Sequence, residues 1–420
     1  MSRAAVRPKR PDPHLLAGTS PKSTGSGAVG SAIKLAGRRP KVLFLINSLR
    51  GGGAERVFAT ILSGSCDRAA DYDVAAALLD EEPGAYALPS WVRTYSLDCR
   101  GNFALSVVRL LGLERRLRPD VTVSFLTRSN VAAAAVARLL GGRAIISERN
   151  NTTEQLSHRR ASWLARTLVR STYGRADRVI SVSDGLSAAL HSEYGVPAER
   201  LRTINNPVDI HALNSAARQR PAFRVRPDDV VMLARLEPQK NLHLAIRAFA
   251  ASGRPGRLLI LGEGTLRPEL RALGTNVGLG KRLVMPGFVA NPHAVLARAA
   301  LLMLSSDHEG FCNSLVEAMA LGLPVIATDC RFSPAEILAV TESPEAGQVV
   351  LGNGGLLVPV RDEAALASAL SVANDSALLS RLAEDASARA RDFDCARQVE
   401  RYWDVVAEVA SARDRVARAA

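Results

Sequence analysis

Two glutamates separated by seven residues, Glu309 and Glu317, stand in the run Ser305-Ser-Asp-His-Glu-Gly-Phe-Cys-Asn-Ser-Leu-Val-Glu-Ala-Met-Ala-Leu-Gly-Leu-Pro-Val-Ile-Ala-Thr-Asp329. The pattern puts Glu309 and Gly310 in a loop at the carboxyl end of a strand, and Glu317 in the first turn of a helix that begins near Ser314. Both carboxylates can then face one cleft. A carboxylate only accepts hydrogen bonds, so one such as Glu317 suits the vicinal hydroxyls of a ribose. Backbone N–H groups at the helix start, aided by its positive dipole end, suit a diphosphate. The same spacing also spells a capping box, Ser314-x-x-Glu317, in which Glu317 only reaches back to the cap amide. Spacing alone leaves both readings open.

Three further clusters carry chemical side chains or close backbone. Arg235 and Lys240 flank a helix start in Ala234-Arg-Leu-Glu-Pro-Gln-Lys-Asn-Leu242, where by themselves they read as surface cations. Gly262 and Gly264 follow an apolar run, which alone is no more than a tight-turn signal. Gly51-Gly52-Gly53-Ala-Glu-Arg56 follows the first apolar run and is not G-x-G-x-x-G, which disfavours a dinucleotide-binding fingerprint.

The elements that must hold these residues alternate. Lys41–Ile46 is a continuous apolar run suited to a strand buried on both faces. Strand-like runs recur at 73–79, 121–125, 144–147 and 178–182, with helical material between several of them. After Asn205-Asn-Pro-Val-Asp209 a polar stretch with Arg and Pro reads as a linker over 211–229. A second series follows, with strands at 230–234, 258–261, 283–285, 301–304, 324–328 and 355–358. The expected fold class is therefore α/β: two doubly wound parallel-sheet domains, residues 40–210 and 230–395, facing a central cleft. A basic arm over 1–39 is expected to be disordered, and a helix over 396–420 to pack back on the first domain.

Bulk properties narrow the class. A chain of 420 residues exceeds what one core usually serves. Five scattered cysteines without a C-x-x-C pair argue against a disulfide framework or zinc site and fit a reducing cytosol. No run is long enough to span a bilayer, and the basic N-terminus lacks the apolar core of a signal peptide. The net charge of +13 divides into +12 over residues 1–210 and +1 over the rest. That asymmetry points to an anionic partner for the first half, whether a membrane surface, a phosphorylated substrate or nucleic acid, or to no more than a basic disordered tail with arginines that keep the chain soluble. A basic amphipathic stretch, His158–Arg170, suits either a membrane surface or an ordinary domain helix.

The 305–329 segment, completed by Ala335-Glu336-Ile337, resembles the signature of the retaining glycosyltransferases of family 4, which have the GT-B fold of two Rossmann-like domains. The resemblance extends to Arg235 and Lys240, to the strand end with Gly262 and Gly264, to Pro286-Gly287-Phe288, and to Ser181-Val-Ser183 and Asn206-Pro-Val-Asp209. It implies transfer of a hexosyl or N-acetylhexosaminyl group from a nucleoside-diphosphate sugar with retention. Arg235 and Lys240 would neutralise the donor diphosphate, Glu309 would contact the sugar hydroxyls and Glu317 the ribose. Gly52, Gly53, Gly262, Gly264, Gly287, Phe288, Gly310, Phe311, Asn313, Ser314 and Leu315 would complete the donor site. Two departures stand out: Ala234 replaces a glycine, and Ser147-Glu148-Arg149-Asn150 stands where many members carry a histidine. A subgroup with this S-E-R-N sequence builds lipid-linked or exopolysaccharide glycans, which implies Glu148 and Arg149 on the acceptor side. A lipid-linked glycan acceptor at the cytoplasmic face of the membrane is expected, with peripheral contact to anionic lipid. No divalent metal is expected, since no D-x-D stands at a strand end and Arg and Lys can take its place; no cofactor and no nucleic acid is expected either. The alternatives are a mannosyl- or glucosyltransferase with a small soluble acceptor, and an inactive GT-B-like membrane-binding protein.

Overall fold

The computed structural model describes residues 38–149 and 162–419, with side chains from 166 to 412 in the second span. The expected basic arm, apart from residues 38 and 39, lies outside the described residues. So do Asn150, Asn151 and the start of the 158–170 stretch.

The first domain contains β1 (Lys41–Ile46), α1 (Gly53–Ser63), β2 (Asp73–Leu78), β3 (Arg93–Ser96), α2 (Phe103–Leu117), β4 (Val121–Phe125) and α3 (Thr127–Leu140). It continues through β5 (Ala144–Glu148), α4 (Ser162–Tyr173), β6 (Arg178–Ser181), α5 (Asp184–Tyr194) and β7 (Leu201–Thr203). Its sheet runs in the order β3-β2-β1-β4-β5-β6-β7, and all six pairings between neighbours are parallel. The reversal between β1 and β4 is the switch point where such sheets open a crevice at their carboxyl ends. The three central strands β1, β4 and β5 are almost wholly buried; β1 reads as a continuous apolar run, while β4 and β5 carry Thr122, Ser124, Ser147 and Glu148 among their apolar residues. The edge strands β3 and β7 are not buried, carry no such run, and were not expected from the sequence.

Helix α6 (Ile210–Arg218) then occupies the first half of the segment expected to be a linker. Asp209 caps it by accepting from the Ala212 amide at 2.8 Å. The second domain repeats the plan: β8 (Val230–Leu233), α7 (Leu242–Ala251), β9 (Leu258–Leu261), α8 (Arg267–Asn276), β10 (Leu283–Gly287), α9 (His293–Leu296) and β11 (Leu301–Leu304). After these come α10 (Asn313–Ala320), β12 (Val325–Thr328), α11 (Pro334–Ile337), β13 (Val350–Gly352), β14 (Gly355–Val358), α12 (Glu363–Val372) and α13 (Ser376–Ala390). The sheet order is β10-β9-β8-β11-β12-β14-β13, parallel except for the terminal β13–β14 hairpin.

The chain then returns. Helix α14 (Cys395–Ala419) leaves the second domain and packs on the first. Val399, Tyr402, Trp403, Val406, Val409 and Ala410 recur at helical spacing, are all buried, and join the core of β1 and β4. Trp403 lies 5.9 Å from the Phe44 ring and donates its indole N–H to Ser65 Oγ at 2.8 Å. The outgoing and returning strands of the crossover are zipped together. The Val208 amide donates to the Phe393 carbonyl, and the Cys395 amide donates to the Val208 carbonyl, each at 2.9 Å.

Candidate active site

The loops at the carboxyl ends of the two sheets enclose two adjoining cavities. The first, about 990 Å³, is lined among others by Gly53, Arg149, Arg235, Lys240, Glu309 and Asn313. The second, about 1030 Å³, lies against the first domain and shares Gly53, Ala54 and Arg235 with the first.

Glu309 is fixed from three directions. It is 8% exposed. Its Oε1 accepts from Lys240 Nζ at 2.5 Å and from Ser306 Oγ at 2.6 Å. Its backbone is pinned between the Arg331 carbonyl (2.6 Å) and the Phe332 amide (2.9 Å). Lys240 is positioned by the loop that follows β8. There the Gln239 side chain donates to the His308 carbonyl at 2.7 Å, and Ser305 Oγ donates to the Lys240 carbonyl at 2.7 Å. Asn241 turns the chain into α7 in the left-handed region (φ 44°), which asparagine tolerates better than most residues. Its side chain donates to Asp307 at 3.0 Å. The two loops that bear the cation and the carboxylate are thus laced into one unit. Arg235 stands at the rim, its side chain 69% exposed and paired with Glu237 at 2.8 Å.

Glu317 answers the choice that spacing left open. It sits in the second turn of α10, not the first, and the helix is preceded by Cys312 without a side-chain cap bond. The capping box does not form. The carboxylate instead meets Arg56 of α1, across the cleft, and His293 Nε2 at 3.1 Å. Burial pushes the Glu317 carboxyl up, but the His293 hydrogen bond and the Arg56 charge outweigh it and hold it below the ordinary value. Sequence reasoning missed both partners, and nothing in the spacing of Arg56 or His293 points to them.

The remaining expected donor residues divide. Gly53, Gly310, Phe311, Asn313 and Ser314 line the first cavity. Gly52 lines the second, together with Gly53. Asn313 Oδ1 accepts from Asn206 Nδ2 at 2.7 Å, which ties the helix start to the first domain. Leu315 is fully buried, and its amide donates to the Cys312 carbonyl at 3.0 Å. It braces the helix start from the core and is not among the cavity-lining residues. Gly262 and Gly264 work by close approach. A Cβ at Gly262 would lie 2.0 Å from the Ala234 carbonyl oxygen, and one at Gly264 would lie 2.4 Å from that of Leu236. The glycines therefore let β9 and its loop press against the Arg235 segment. Ala234 is absent from the positive-φ residues, so alanine is unstrained there. Gly287 (φ +97°) leaves room for Glu263, and Phe288 is 79% exposed outside the cavity wall.

Glu148 and Arg149 are placed differently from the acceptor-side expectation. Glu148 is fully buried, accepting from the Tyr173 hydroxyl and, at 3.4 Å, from Thr127. It supports the wall and does not face the cleft. Arg149, 4% exposed, lines the first cavity with Lys240 and Glu309. The second cavity is lined by other groups: Asn47, Asp80, Thr127 and Arg128, with Phe103, Val131 and Leu168 as apolar wall. Arg128 pairs with Asp80, which also accepts from the Gly101 amide at 2.9 Å. Leu126 enters α3 with φ 74° beside them, the kind of backbone strain found at functional sites.

Comparison with known proteins agrees with this architecture. Residues 51–212 match the model "Glycosyltransferase Family 4", and residues 214–391 match "Glycosyl transferases group 1". Together the two models span most of the chain, which belongs to the GT-B glycosyltransferases. One relative is the N-acetylgalactosamine-N,N'-diacetylbacillosaminyl-diphospho-undecaprenol 4-alpha-N-acetylgalactosaminyltransferase of Campylobacter jejuni. It is 27% identical over 368 residues, covering 84% of this chain and 96% of that protein. A second, the GalNAc-alpha-(1->4)-GalNAc-alpha-(1->3)-diNAcBac-PP-undecaprenol alpha-1,4-N-acetyl-D-galactosaminyltransferase of the same organism, is 26% identical over 389 residues, with 89% and 99% covered. Among solved structures, Anabaena HepE in complex with UDP superposes with a TM-score of 0.69 at 20% identity, covering 88% of this chain and all of that one.

Proposed function

We propose that this glycosyltransferase moves a hexosyl or N-acetylhexosaminyl group, with retention at the anomeric carbon, from a UDP-linked donor to a glycan carried on a polyprenol diphosphate. The observation that carries the reading is the Lys240–Glu309 pair at the mouth of two opposed sheets, with Arg235 at the rim and the glycine loop opposite. In the unliganded cleft Lys240 and Glu309 satisfy each other. A donor offers each a better partner: phosphate oxygens for Lys240 and sugar hydroxyls for Glu309. Lys240 and Arg235 then carry the charge that grows on the departing nucleotide, so a metal ion is not required. The second cavity, with its hydrogen-bonding floor and apolar wall, takes the acceptor sugar.

The acceptor class is inferred from the two Campylobacter relatives, whose names specify undecaprenyl-diphosphate-linked glycans. The UDP donor is supported by the UDP complex of the structural neighbour. Among the described residues no helix is long and apolar enough to cross a membrane. Contact with the lipid is proposed to be peripheral, through the basic first half of the chain at the cytoplasmic face, on the strength of the +12 charge that residues 1–210 carry. A thermal-shift screen against UDP, GDP and ADP sugars tests the donor, with selective stabilisation by a UDP sugar expected. Glu309→Ala is expected to lose about 10²–10³-fold in kcat on a diphosphate-linked acceptor. Wild-type turnover in that variant would sink the assignment.

A further inference from the structure

The charges around the first cavity do not balance. Four cations line it: Arg149, Arg235, Lys240 and Arg361. Three have carboxylate partners, Glu237 at 2.8 Å, Glu309 at 2.5 Å and Asp307 at 2.7 Å respectively. Arg149 is the fourth. Its Nη1 donates to Asn206 Oδ1, its Nη2 donates to the Tyr402 hydroxyl, and its Nε is buried without a partner. Its guanidinium carbon lies 5.0 Å from the Phe125 ring centroid and 5.6 Å from that of Tyr402. The neighbouring Glu148 carboxylate turns to Tyr173 and to the Arg149 backbone amide (3.0 Å). No carboxylate among the described residues stands within ion-pair distance of the Arg149 guanidinium.

A guanidinium stays protonated even where burial pushes its pKa down, as it does here against the pull of Tyr402 and Glu148. Burying that charge with no ion-pair partner among the described residues is costly. The tie it makes to Asn206, and through Asn206 to Asn313, needs donors but not a positive charge. The Phe125 and Tyr402 rings attract the charge and Glu148 pulls on it, but no carboxylate among the described residues pairs with it, and it lines a cavity that can admit an anion. We propose that Arg149 is a phosphate-binding residue of the donor cavity. It would meet an oxyanion of the nucleoside diphosphate beside Lys240 and would not belong to the acceptor side. This rests on the donor reading given above and names one more residue for it. Lys240 and Arg235 must each give up a carboxylate to reach a phosphate, whereas Arg149 has none among the described residues to give up.

The test compares UDP, GDP, ADP and dTDP with their nucleosides by titration calorimetry on the wild type, Arg149→Gln, Arg149→Lys and Tyr402→Phe. The quantity read is the preference for the diphosphate over its own nucleoside. It is expected to fall by about 10-fold or more in Arg149→Gln, the usual size for a lost charged hydrogen bond. It should be largely kept in Arg149→Lys, and unchanged in Tyr402→Phe, which removes a support but not the charge. An unchanged preference in Arg149→Gln overturns the inference. So does an equal loss for nucleoside and diphosphate, which a purely structural tie would give, or a rise confined to the acceptor KM. If Arg149→Gln does not fold, a loss of preference in Arg149→Lys as large as that on removing Lys240 overturns it instead. A wild type that binds none of the four diphosphates overturns the donor reading, and this inference with it.

Discussion

At the scale of single residues the cleft is a set of charges waiting to exchange partners. Lys240 and Glu309 neutralise each other, and Arg56 and His293 hold Glu317. Replacing Lys240 with Met should leave Glu309 with only Ser306 as a side-chain donor and lower kcat by about 10²–10³-fold. A steady-state assay on a UDP-sugar donor checks this. Glu317 offers a prediction in pH. Its folded-state pKa lies below the ordinary value, so the folded state holds fewer protons than the unfolded chain around that pKa. The stability it contributes is complete above the unfolded carboxylate pKa and is lost as pH falls through the folded one. Arg56→Met should therefore narrow the gap. Urea midpoints of wild type and variant should differ at pH 6 and converge toward pH 3.

At the scale of elements, the prediction concerns the glycines that let one loop lie on another. Gly262→Ala places a methyl group 2.0 Å from the Ala234 carbonyl oxygen, in a backbone with φ +144°. A loss of at least about 2 kcal/mol in a urea melt is expected, with a fall in kcat as Arg235 shifts. Helix α2 carries a second prediction. Burial raises the Glu114 carboxyl to about 7, against a lowering hydrogen bond from Thr122 at 2.8 Å. Here the folded state holds more protons than the unfolded chain, so wild-type stability falls as pH rises from about 4.5 to 7. Glu114→Gln should lack that component and gain about 3 kcal/mol on the wild type between pH 4.5 and 8, measured as urea midpoints.

The interior strands were legible because burial on both faces forces apolar runs, as in Lys41–Ile46. The edges β3 and β7 were not, because exposure removes the pattern. Helix α6 had a signal, Asp209 before Ile210 and Leu213, but the prolines and arginines around it dominated the linker reading. Lys240 and Glu309 were singled out through their motifs, and the structure pairs them at the cavity wall. Glu317 was singled out too, but its partners come from α1 and α9, and no local spacing encodes a meeting across a cleft. Glu148 and Arg149 were read as neighbours with one role. A strand end turns adjacent side chains opposite ways, so one is buried in the wall and the other lines the cavity.

At the scale of the whole molecule, the two domains are joined by more than the crossover. Asn206 reaches Asn313, and Glu336 accepts from Asn205 at 2.9 Å and from the Asp184 amide at 2.7 Å. Helix α14 then completes a core to which it is not adjacent in sequence. Trp403→Ala should cost about 3–5 kcal/mol, seen as a lowered melting temperature. The loss should appear in probes of the first domain, because Trp403 lies among Phe44, Tyr72 and Ser65. This arrangement also imposes an order on biosynthesis. The ribosome delivers β1 to β7 early, yet Tyr402 and Trp403 emerge only after the entire second sheet has been made. Until then the nascent first domain has an open apolar face, while every strand of the second sheet has already been made. The half translated first is thus the half whose core is completed last, and its uncovered apolar face is the surface that a chaperone would shield in the interval.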